Sequence, residues 1–156
     1  MSKNQKVKIL FYLEQDSDGY PPETIESCWA NDLGDNQFEI SNIPFFIKNL
    51  SLGDIVKTVT QSDGMLEYSN TVKHSKNSTI RIIFHEQNQI TIALSHLNSL
   101  DVSYEGSHIP NLYAFNIPES ADIESLLKYL NTGENSDLWG YEISALRWEK
   151  EKLSKL

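Results

Sequence analysis

A chain of 156 residues, 39% hydrophobic, 10% aromatic and 22% charged, suits one compact domain or two very small ones sharing a core, and excludes disorder and collagen-like repetition. Its formal charge of −9 repels phosphate backbones, which argues against direct nucleic-acid binding, and attracts basic partners. Cys28 is the lone cysteine, which excludes an internal disulfide, and no apolar run approaches the roughly 20 residues needed to cross a bilayer.

"VKILFYL", residues 7–13, is a continuous apolar run that predicts a buried first strand. It is shorter than a signal h-region and lacks a small-residue cleavage site, so the expected location is cytoplasmic. "DSDGYPP" follows, with Gly19 and two prolines, and continues neither a ladder nor a helix. Residues 25–43 predict a hairpin: Ile25, Ser27 and Trp29 share one side, Glu26, Cys28 and Ala30 the other, and "GDNQ" turns the chain into "FEISNI". Pro44 ends that strand, and Phe45, Phe46 and Ile47 form an apolar plug. "SLGDIVKTVT" and "MLEYSNTVKHS" make a second hairpin around "QSDG". Five short strands at this spacing predict a small bent antiparallel sheet or SH3-like barrel, closed at one end by the plug.

The second half changes rhythm. "STIRIIFH" is a strand with Ile80, Ile82 and Phe84 on one side, and Arg81 and His85 on an opposite, exposed side. "QITIALSHLNSL" carries Ile90, Ala93, Leu94, Leu97 and Leu100 at helical spacing, and "DVSYEGSHI" and "LYAFNIP" are two further strands. "ESADIESLLKYLNTG" predicts a helix capped by Ser120 or Asp122 and stopped by Gly133. "SALRWEKEKLSKL" reads as a last short helix or a fraying end. The whole is an α+β chain: a small barrel-like half over residues 1–76, packed on a βαββα, ferredoxin-like half over residues 77–156.

No residue set is arranged for chemistry. The four histidines sit ten to twelve residues apart in different elements, and no His or Cys pair has metal-ligand spacing. Cys28, in "ESCWA", lacks a nucleophile signature and reads as a small buried hydrophobe. Glycines are spread singly, without a phosphate-cradling loop. Trp29, Trp139, Trp148 and Tyr141 fit core or half-core positions better than a binding platform. No metal and no cofactor is expected. Acidic residues, in contrast, are concentrated: residues 14–54 hold nine acids against Lys48, and residues 101–142 eight against Lys128. "EQDSDGYPPETIE" sets Tyr20 among carboxylates, a reasonable hot spot for a basic protein.

Several patches carry a resemblance. "DGYPPETIESCWA", "IPFFIKNLSLGDIV", "STIRII" and "YAFNIP…AD…LLKYLNTGENSDLWGYE" resemble a bacterial family described only as a domain of unknown function (the 4265 family). The likeness covers about residues 6–142. The matching positions include Gly19, Pro21, Pro22 and Glu26, then Pro44, Phe45, Phe46, Gly53 and Asp54. Thr79 and Arg81 follow, and last Gly133, Glu134, Trp139 and Glu142. Turn makers and aromatics of this kind suit architecture better than catalysis, and the resemblance implies no activity. By analogy, small acidic proteins of this sort are similar to immunity proteins, the antidotes encoded beside interbacterial toxins.

The expected function is therefore a non-catalytic acidic binding protein, an immunity protein that neutralises a cognate toxin domain, for example a nuclease, by covering its basic surface. Asp16, Asp18, Tyr20, Glu23, Glu26, Asp32 and Asp35 form the first expected contact set; Glu134, Asp137 and Trp139 form the second. No membrane and no direct nucleic-acid contact is expected. The alternative is a small-ligand sensor or enzyme using a groove between the halves, with Arg81 and His85 in its wall.

Overall fold

The computed structural model describes residues 5–148, which divide into two compact units on either side of Ser75 and Lys76. The described residues are mixed α+β, with a five-stranded and a four-stranded sheet and two α-helices.

The first unit is a closed barrel of β1 (Lys6–Tyr12), β2 (Ile25–Gly34), β3 (Gln37–Ile40), β4 (Ile55–Thr60) and β5 (Leu66–Lys73). Neighbouring strands are antiparallel, and a short parallel pairing of β1 with β5, Ile9↔Leu66 and Leu10↔Glu67, closes the ring. Alternation explains the interior: Ile9, Phe11, Cys28, Ala30, Ile40 and Val56 point inward and are buried. The β2–β3 connection is a two-residue turn with Asp35 and Asn36 at φ 53° and 56°, the positive angles a type I′ hairpin demands. Register shifts at Ile55/Val56 and Lys57/Thr58 bend β4 against β5, which lets so small a sheet close. Ile47, from the expected plug, joins the barrel core.

The second unit runs β6 (Ser78–Phe84), α1 (Ile90–Ser99), β7 (Ser103–Gly106), β8 (Leu112–Ile117), α2 (Ile123–Asn135) and β9 (Trp139–Ala145), with strand order β7-β8-β6-β9 and antiparallel pairing throughout. Ile80, Ile82 and Phe84 of β6 share one core with Leu97 of α1 and with Leu126 and Leu130 of α2. Asp122 caps α2, its carboxylate accepting from the Ser125 amide at 3.1 Å and hydroxyl at 2.8 Å. Those bonds hold its carboxyl below the usual range.

Three expectations fail here. Residues 139–145 form a sixth element, β9, so the unit is βαββαβ; its mixed burial and Gly140 gave no alternation to read. Gly133 does not stop α2, which continues to Asn135. The stop is Asp137, at φ 60°, with the Leu138 amide bonded to the Gly133 carbonyl (2.9 Å) and the Asp137 amide to that of Glu134 (3.1 Å). Arg81 is only 3% exposed, because the second face of β6 is covered at Thr79 and Arg81 and opens only from Ile83 onward, which is 41% exposed. The terminal segment read as helix or fraying end lies mostly outside the described residues.

Candidate functional site

The β1–β2 loop is built around Asp16. Its Oδ1 accepts the amides of Asp18 (2.8 Å) and Tyr20 (3.0 Å), and its backbone bonds to Tyr20 and to Gly19, whose φ of +77° the turn requires. Gln15 Nε2 donates to the Pro21 carbonyl at 3.0 Å, and the Tyr20–Pro21 peptide is cis. This local bonding leaves the Asp18 side chain exposed at the tip, Glu23 half-buried behind it, and the Tyr20 ring 43% exposed, edge-on to Phe46.

Beneath the loop lies a groove of about 640 Å³. Phe11, Phe46 and Ile47 are its buried floor; Tyr12, Tyr20 and Tyr68 are its aromatic walls. Glu14, Asp16 and Glu67 give it three carboxylates, and Lys48 one cation. The walls are braced: Gln61 Nε2 donates to the Tyr12 hydroxyl (2.8 Å) and to Glu67 Oε1 (3.1 Å), and Tyr68 stacks on Phe11 with ring centroids 4.8 Å apart. Glu26 holds the floor. Its carboxylate accepts the amides of Phe45 (2.7 Å), Phe46 (2.6 Å) and Ile47 (3.2 Å), donors that Pro44 has kept out of any ladder.

The groove brings together only Asp16 and Tyr20 of the first expected set. Asp18 and Glu23 belong to the same loop, and Glu26 works from below it. Asp32 and Asp35 lie at the opposite end of β2, a ten-residue strand of about 30 Å. There Asp32 Oδ1 accepts the Gly34 amide at 2.8 Å. In the second unit, Glu134 Oε2 accepts the Tyr141 amide at 3.3 Å; burial, and then the Glu134 charge, push the Tyr141 phenol up. Asp137 Oδ1 lies 3.1 Å from His85 Nδ1. Trp139 is 2% exposed, its indole N–H bonded to the Leu130 carbonyl at 3.0 Å, and a side chain on Gly133 would fall inside its ring. Arg81 pairs with Glu142 across the β6–β9 register.

Sequence reasoning found Tyr20 but missed the other two walls of the groove, Tyr12 and Tyr68. Tyr12 ends the first apolar run, while Glu67 and Tyr68 lie 55 residues farther on in an unremarkable strand; only the barrel's closure makes them neighbours. A signal existed in "FYLEQD", where aromatic and acidic residues meet without a turn between them. Trp29, expected at a core or half-core position, is 46% exposed, with the Lys8 ammonium 5.0 Å from its ring centroid. Among the described residues no three His, Cys, Asp or Glu side chains converge as a metal site requires, and no helix is long and apolar enough to cross a membrane.

A family model described as a domain of unknown function (DUF4265) matches residues 26–141. No curated protein matches. A solved structure of a hypothetical protein from Neisseria gonorrhoeae is similar, with a TM-score of 0.68 and 21% identity over 96% of this chain and 99% of that one. Likeness at that identity concerns the fold.

Proposed function

The chain belongs to the DUF4265 family, whose description assigns no activity, and we propose from its own surfaces that it is a non-catalytic acidic binding protein. In this reading it is an immunity protein, cytoplasmic, that neutralises a cognate bacterial toxin domain, for example a nuclease, by covering its basic surface. The observation that carries the proposal is the β1–β2 loop with its groove, where braced tyrosines stand among carboxylates that face a single lysine. Opposite charge speeds encounter, and an aromatic anchor then supplies burial. Asp16, Asp18, Tyr20 and Glu23 make the primary contact; Asp32 and Asp35, and Glu134 and Asp137, contribute longer-range field. Glu26 and Trp139 act within the fold. We also assign the barrel to the SH3-like class and the second unit to the ferredoxin-like class, the latter supported by its βαββαβ order.

The test is a search of the neighbouring genes for a basic toxin domain, followed by measurement of its association with this chain. Replacing Asp18→Asn, Glu23→Gln and Asp35→Asn together should slow association on the order of tenfold in low salt and flatten its salt dependence. An unchanged on-rate, or a neighbouring toxin domain that this chain neither binds nor neutralises, overturns the proposal.

A further inference from the structure

We propose that the barrel groove receives an arginine side chain carried on an extended stretch of the protein partner. The inference rests on the binding-protein reading above and names what the partner inserts. The floor, Phe11, Phe46 and Ile47, is apolar and buried, so an occupant reaching it needs a hydrocarbon stem. The walls present aromatic surface, with Tyr12 57% and Tyr20 43% exposed. The rim sets Glu14, Asp16 and Glu67 against Lys48, so the occupant's far end is cationic.

A guanidinium meets all three conditions together. It stacks flat on aromatic faces and offers a planar fork of donors to carboxylates, whereas an ammonium is a compact point charge that gives up its water less readily. Size fixes the setting of that side chain. A space of about 640 Å³ lies within the range of sites that enclose whole small ligands and exceeds one side chain, so flanking backbone enters with it. The site is also preorganised. Gln61 fixes Tyr12 and Glu67 in one step, Glu26 fixes the floor, and Asp16 spends one oxygen fixing the loop. Little ordering is left to oppose binding.

The experiment is an amide-resolved NMR titration of the full chain with capped Gly-Arg-Gly, Gly-Lys-Gly and Gly-norleucine-Gly peptides. The arginine peptide should give saturable shifts at Gln15, Tyr20, Lys48 and Glu67, and bind about tenfold tighter than the norleucine peptide. The pair Glu14→Gln and Glu67→Gln, which keeps an acceptor for Gln61, should remove about that tenfold preference. Glu14→Gln alone, on an exposed side chain, should remove part of it with an unaltered melting curve. Equal binding of the norleucine or the lysine peptide, or shifts that miss the groove, overturns the inference. If the toxin domain binds with salt-dependent kinetics but ignores Glu14→Gln and Glu67→Gln, the groove assignment fails and the binding-protein reading stands. If the arginine peptide binds the groove while no toxin domain associates, the groove assignment stands and that reading fails.

Discussion

Glu26 shows how a side chain's partners decide its role. A carboxylate with three amide donors is held in place with its acceptor positions largely taken, and is a poor reagent for a partner's cation. The bond joins residues about twenty apart, so spacing along the chain could not reveal it. The same holds for the Arg81–Glu142 pair, which the strand register alone creates. Gly133 is the sharper case. A glycine late in a helical pattern reads as a stop, but here it is buried mid-turn to admit the Trp139 ring. Gly133→Ala should therefore destabilise the chain by about 1–3 kcal/mol, since a displaced indole also loses its bond to the Leu130 carbonyl and alanine's better helix propensity returns only about 1 kcal/mol. Denaturant unfolding followed by tryptophan fluorescence measures it. A variant as stable as the parent would show that the indole has room elsewhere.

At the scale of elements, most of the fold was legible because most elements announce themselves. Both helices lie where apolar spacing put them, and Asp122 is one of the two caps expected. Turn chemistry located the β2–β3 hairpin. What stayed hidden was β9, whose register against β6 comes from the sheet and not from its own pattern. Helix ends were hidden too, since both helices stop on an aspartate rather than a glycine. Asp101, at φ 65°, follows α1 as Asp137 follows α2: its amide bonds to the Asn98 carbonyl at 3.1 Å and the next amide to that of Leu97 at 3.0 Å. A left-handed L-residue costs roughly 1–2 kcal/mol, and a glycine gives back about 0.4–1 kcal/mol in unfolded-chain entropy. Relief of strain wins. Asp101→Gly should stabilise the chain by about 0.5–1 kcal/mol, read as a raised denaturation midpoint at constant slope. A lowered midpoint would mean that the Asp101 carboxylate does more than occupy the turn.

For the whole molecule the controlling quantity is charge. The surplus is not the property of one unit: residues 1–75 carry six lysines against eleven acids, and residues 76–156 seven bases against eleven acids. A field spread this way steers a cationic partner from afar but does not by itself select a docking point, which is why the groove has to supply selectivity. That division of labour separates rate from residence. Salt and pH should act on association, and the groove substitutions mainly on dissociation. The sequence isoelectric point is about 4.8, so titrating from pH 7 toward that value removes the net negative charge while a basic partner keeps its own. Association measured in low salt should then fall on the order of tenfold between pH 7 and pH 5, toward the rate of an unsteered pair. The decline should be shallower at 0.5 M salt, where screening has already shortened the field to a few ångströms. A rate that ignores pH over this range would mean that the partner finds the chain by contact geometry alone, and that the acidic surface serves only to keep the protein in solution.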